Sequence, residues 1–133
     1  MSDDIVRKTK ETAALYFKDV PCDRPFELWS SFDKGFAKDL SLFVTGQVYA
    51  RQVVPHTVRQ LVTTAALTVL EKADELELHL HAALNVGCQP RELAEVMFQT
   101  AVYGGVPAMN GGLKVLRKVL EARGLWPIPE AGS

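Results

Sequence analysis

An all-α fold in a single domain is what this sequence predicts, and three observations predict it. Apolar residues recur at helical spacing through most of the chain, strand-like alternation is hard to find, and Gly and Pro punctuate the helical stretches. The length, 133 residues, is that of one domain with a core of its own, so residues 1–133 are read as one unit.

The elements follow in order. A first helix is expected from Asp3 to Lys18; Pro21 and Pro25 then break the chain, so residues 1–23 form an N-terminal helix and linker. A second helix begins near Arg24 and carries Phe26, Trp29, Phe36, Leu40 and Phe43, and Gly46 to Arg51 is expected to be a short turn. Pro55 suits a first helical position. The run from there to Lys72, with Leu61, Val62, Ala65, Ala66, Leu67, Val69 and Leu70, is apolar nearly all round and predicts the central buried helix.

Asp74 with Glu77 three residues on forms an acidic capping box, opening a helix with the stripe Leu76, Leu80, Ala83 and Leu84 that Gly87 ends. Pro90 starts another helix, with Leu93, Val96, Met97, Thr100 and Ala101 on one face and Gly104-Gly105 as its stop. Gln89 before it is a poor N-cap. A last helix begins near Pro107 with Leu113, Leu116 and Leu120; Gly124 stops it, and residues 125–133 form a Pro-containing tail.

Composition narrows the function. Hydrophobic residues make 47% of the chain and charged residues 23%, with a net charge of -1, which leaves no cationic excess for a phosphate backbone or an anionic membrane. Nucleic-acid and membrane partners are therefore not expected. Cys22 and Cys88 lie far apart with no Cys or His at metal spacing, so a reducing cytoplasm is the expected setting and Cys88 reads as structural. The acidic start, Met1 to Asp4, lacks the basic region of a signal peptide. Aromatics such as Trp29, Phe36 and Phe43 add more apolar surface than a small bundle hides, which predicts a ring-like homo-oligomer.

No CxxC, HExxH, GxSxG or lysine-bearing glycine-rich phosphate loop occurs, so metal, nucleophilic-serine and P-loop chemistries lose support. What remains is one helix that places ionisable groups on its apolar stripe. His79 falls at Leu76+3, with Glu75 four residues earlier on nearly the same side, a pair suited to proton transfer. The plainer reading makes His79 a satisfied core histidine and Glu75 an acid favoured by the helix dipole. His81 lies on another flank with Asn85 and reads as a surface or interface histidine. Arg51, His56 and Arg59 gather at the Pro55 helix start, where free N–H groups and arginine forks suit a small carboxylate; solvated first-turn residues are the other reading. Tyr103 to Pro107 is a tight link whose glycines either permit the turn or let backbone N–H groups approach a ligand.

Four stretches together resemble a known family. Arg59 to Leu70 (RQLVTTAALTVL), Glu75 to Gly87 (ELELHLHAALNVG), and Glu92 to Gln99 followed by Tyr103 to Ala108 (YGGVPA) are similar to the carboxymuconolactone decarboxylase family, over roughly Phe32 to Val119. Its alkylhydroperoxidase branch carries a CxxC before a His; here the position four before His79 is Glu75, so a redox centre is missing. The segment Phe26 to Arg51 resembles the decarboxylase branch instead.

The resemblance implies an alkylhydroperoxidase-like bundle of about six to seven helices, assembled into trimers or hexamers and working without cofactor or metal. It implies a carboxy-lyase of aromatic compound catabolism that converts a small acidic lactone, 4-carboxymuconolactone, to the β-ketoadipate enol-lactone and CO2. Electrons from the breaking bond flow through the ring alkene to the lactone carbonyl, and the resulting anion is protonated beside that carbonyl. On this reading His79 delivers the proton, Glu75 orients or reloads it, and Arg51, His56 and Arg59 hold carboxylates, with His81 and Tyr103 as further wall residues. The alternatives are a related lactone isomerase or hydrolase and a non-catalytic ligand-binding oligomer.

Overall fold

Asp3 and Asp4 open the first helix, α1 (Asp3–Phe17), where carboxylates oppose the positive end of the helix dipole. Asp4 also meets Arg7 at 2.6 Å and Lys8 at 3.3 Å on the same face. The computed structural model describes residues 3–130. Pro25, with its fixed φ and missing N–H, begins α2 (Pro25–Phe32). Asp33 then separates α2 from α3 (Lys34–Ser41) and caps the latter, its carboxylate accepting the Phe36 N–H at 3.0 Å. The single helix expected from Arg24 is thus two short ones.

The turn expected from Gly46 is also absent. The chain widens into a π-helix, Leu42–Tyr49, whose last bond runs from the Ala50 N–H to the Thr45 carbonyl at 2.8 Å. Gly46 is buried there against α1, and a Cβ at this position would run into the Thr9 side chain and Ile5. Glycine is what permits so close an approach.

Four longer helices follow: α4 (His56–Val69), α5 (Ala73–Asn85), α6 (Pro90–Gly104) and α7 (Val106–Ala122). The core lies among the last three, with Leu76, Leu80 and Ala83 of α5, Leu93 and Met97 of α6, and Leu116, Val119 and Leu120 of α7 all buried. The stripes expected on these helices are those that pack. The α5 cap is different: Lys72 occupies the N-cap, and Glu77 reaches across to Lys118 of α7 at 2.8 Å instead of returning to the helix start. At α6, contrary to the expectation for Gln89, Gln89 and Glu92 form a capping box, the Glu92 carboxylate accepting the Gln89 N–H at 2.8 Å.

Helix α4 is not apolar-buried all round. Its inward face is Gln60, Thr64 and Thr68, while Val62 and Leu70 are exposed. Burying threonine is tolerable because its hydroxyl bonds back within the helix, Thr64 to the Leu61 carbonyl at 3.1 Å and Thr68 to the Thr64 carbonyl at 2.7 Å. The apolar side of α4 joins α6 in an open groove lined by Leu61, Val62, Val69, Leu70, Val96 and Tyr103.

Cys22 and Cys88 are both free thiols, and the buried Cys88 donates to the Thr57 carbonyl at 3.4 Å. Among the described residues no helix is long and apolar enough to cross a membrane.

Candidate functional site

Helices α1, α2 and α3, the π-helix and the first half of α5 enclose a cavity of about 1010 Å³. Its walls are largely aromatic and aliphatic: Tyr16, Phe17, Trp29, Leu42, Tyr49 and Leu78. Lys10, Arg24, Lys34 and Lys38 bring positive charge to it, and Asp23, Glu27, Asp74 and Glu75 bring negative charge. Lys34 and Lys38 are one helical turn apart on α3, so both reach the cavity from one face.

His79 is the one histidine on this wall. Its ring lies nearly parallel to that of Tyr49, 18° apart with centroids at 6.3 Å, and meets Phe17 edge-on at 6.2 Å. Its Nδ1 is buried and has no hydrogen-bond partner among the described residues. Burial among rings pulls its pKa down to about 4, so the imidazole is neutral at neutral pH. Glu75 reaches the same cavity one turn earlier, but it is exposed, and no hydrogen bond among the described residues joins it to His79. A neutral imidazole donates a hydrogen bond well and releases its proton poorly, which suits it to developing charge on oxygen.

The expected carboxylate cluster lies elsewhere. Arg51, His56 and Arg59 do come together around the start of α4, with Arg59 donating to the Arg51 carbonyl at 3.0 Å, but none of the three lines the cavity. His56 is instead bonded to the back of the wall: its Nδ1 lies 2.6 Å from the Tyr16 hydroxyl, and its Nε2 lies 3.0 Å from the Gln52 amide nitrogen. Burial, and then the Arg59 charge, lowers its pKa. Tyr16 lines the cavity but is only 1% exposed, and its pKa is pushed up to about 12 by that burial.

His81 is buried, not superficial. Arg123 donates to its Nδ1 at 2.9 Å and to its carbonyl at 3.2 Å, and also to Asn85 at 3.0 Å. Its ring, Cys22 and Glu77 present three ligand-type atoms within 4.8 Å of one another. They do not suit a cation: Lys118 already neutralises Glu77, and Arg123 donating to Nδ1 keeps the ring proton on Nε2, where a metal would need the lone pair. Tyr103 stands on the outer groove between α4 and α6, away from the His79 cavity.

Tyr16, Tyr49 and the α3 lysines were not singled out from the sequence. Nothing in the spacing of α1 separates Tyr16 from a core aromatic. Lys34 and Lys38 carry a signal, the i, i+4 spacing, but it is shared with any solvated face.

Comparison with known proteins now bears on this geometry. The model of the carboxymuconolactone decarboxylase family matches residues 35–118. A 4-carboxymuconolactone decarboxylase of Acinetobacter baylyi is 34% identical over 105 residues, covering 79% of this chain and 78% of its own. An uncharacterized 15.0 kDa protein of Paracoccus denitrificans is 34% identical over 76 residues, covering 56% of this chain and 57% of its own.

Proposed function

The chain belongs to the carboxymuconolactone decarboxylase family, and from that premise we propose that it is a cofactor-free decarboxylase of a carboxylated lactone, with 4-carboxymuconolactone as the substrate to test first. The observation that carries the reading is a neutral, unpartnered His79 in an aromatic-walled cavity edged with cations.

The chemistry matches these residues. Lys34 and Lys38 hold the carboxylate that stays on the ring. The leaving carboxylate faces the aromatic wall, where weak solvation favours loss of its charge as CO2. As the C–C bond breaks, its electron pair passes through the ring alkene to the lactone carbonyl oxygen, and the neutral His79 ring donates a hydrogen bond to that oxygen. Glu75, at the rim, orients the substrate's polar edge. Protonation of the ring carbon completes the reaction.

A homo-oligomer, a trimer or hexamer, is part of the same proposal, supported by the exposed apolar groove of α4 and α6. So is a cytoplasmic setting, which the two free thiols fit. The test is CO2 release from 4-carboxymuconolactone by purified protein in chelator-treated buffer, with the product identified by NMR. Enol-lactone with stoichiometric CO2 supports the reading. A rearranged or ring-opened acid without CO2 replaces it with an isomerase or hydrolase.

A further inference from the structure

Decarboxylation consumes one proton per turnover, because the carbon that loses CO2 passes its electron pair to a carbon that must gain hydrogen. His79 is a poor source of it: the ring is neutral, and no hydrogen bond among the described residues ties it to a group that could recharge it. A second polar group on the cavity wall is connected to the outside. The Tyr16 hydroxyl is 2.6 Å from His56 Nδ1, and His56, off the cavity and partly exposed, is 3.0 Å through Nε2 from the exposed Gln52. Gln52 turns its amide nitrogen, a donor only, to Nε2; Nε2 therefore accepts, the ring proton sits on Nδ1, and Nδ1 donates to the Tyr16 oxygen. That leaves the phenol's own proton uncommitted to His56, on a side chain that lines the cavity and has the buried Gln60 amide beside its hydroxyl.

We propose that Tyr16 is the catalytic acid that protonates the ring carbon, and that His56 recharges it from the solvent side; the proposal rests on the decarboxylase reading above. The O–H bond of Tyr16 breaks as the new C–H bond forms beside the lactone carbonyl, and the electron pair held on the carbonyl oxygen returns to close that bond. The phenolate left behind takes the proton on His56 Nδ1 while Nε2 takes one from water, and the imidazole re-equilibrates with solvent before the next turnover. A phenol raised to about 12 keeps its proton between turnovers. A His56 lowered by burial and by Arg59 passes its extra proton on instead of holding it. The other groups facing the pair are the buried Gln60 amide beside the Tyr16 hydroxyl, the Arg59 charge, Tyr49, edge-on to Tyr16 at 5.5 Å, and the thiol of Cys88.

The experiment measures CO2 release, and deuterium wash-in at the carbon beside the carbonyl of the enol-lactone in D2O, for the protein and for Tyr16→Phe and His56→Ala, with circular dichroism as the folding control. We expect Tyr16→Phe to lose about 100-fold or more in kcat and in wash-in while KM moves by less than about 3-fold. His56→Ala should lose about 10-fold or more in kcat and regain it with added imidazole, which a structural role would not allow. Tyr16→Phe within about 3-fold of the parent on both readouts, or a His56→Ala loss that imidazole leaves unmoved, overturns the relay and leaves the decarboxylase reading standing. A parent protein that neither releases CO2 nor exchanges the C–H overturns both.

Discussion

Tyr49 lies flat against His79, the two rings 18° from parallel with centroids 6.3 Å apart. One ring comes from the π-helix and the other from α5, so an unusual stretch of backbone sets the environment of the histidine. Tyr49 and Phe17 are the two rings in contact with His79, whose burial lowers its pKa to about 4. Tyr49→Leu should therefore raise the His79 pKa toward 6.5 in an NMR titration and cost about 10-fold in kcat. A His79 that titrates as before would show that Tyr49 is not what shields it.

Lys34 and Lys38 should act on binding. Replacing either with Ala should raise KM on the order of 10-fold and leave kcat nearly unchanged, since a carboxylate held equally in the ground and transition states affects only uniform binding. Added salt should weaken the parent and shrink its difference from the variants. A kcat effect with constant KM would move these lysines from holding the substrate to stabilising the reaction.

Acid should destabilise the fold through its histidines. His79 titrates near 6.5 when unfolded and about 4 when folded, so between those values the unfolded chain binds a proton the native state does not. Stability is full above about 6.5 and is lost as pH falls toward 4, by on the order of 3 kcal/mol from this residue. His56 and His81, both lowered mainly by burial, push in the same direction. Urea midpoints at about pH 7, 5.5 and 4.5 sample this decline, and His79→Leu should flatten it. An equally steep decline in the variant would assign the acid sensitivity to other groups.

The apolar groove of α4 and α6 should be covered by a second copy of the chain. Light scattering at micromolar concentration should give a mass above the monomer, and Val62→Asp with Tyr103→Asp should lower it, since both side chains stand open on that groove. A monomer mass for the parent would contradict this.

How far the sequence reaches is visible in α4. Its apolar pattern is real, and a reading based on pattern assigns Val62 and Leu70 to the core; within one chain the buried side is Gln60, Thr64 and Thr68. Periodicity reports which faces are apolar and not what covers them. The stripes of α5, α6 and α7 were legible because a neighbouring helix of the same chain buries each one. At the site, Glu75 and His79 were legible through their spacing, and both reach the cavity. Arg51, His56 and Arg59 cluster at a helix start in the sequence and in the fold, but none of them lines the cavity, which Tyr16 lines and His56 meets only through the Tyr16 hydroxyl. The Tyr16 to His56 contact spans 40 residues and the His81 to Arg123 contact 42, distances at which spacing along a chain carries no signal.

The central claim is that a neutral His79 stabilises charge on a lactone carbonyl as CO2 leaves. Its most direct test is the rate of CO2 release from 4-carboxymuconolactone by the parent protein and by His79→Leu, compared at pH 7. The account predicts turnover by the parent and a fall of about 100-fold or more in kcat for His79→Leu, with the variant still folded. A folded parent that releases no CO2, or a His79→Leu variant as fast as the parent, would contradict it.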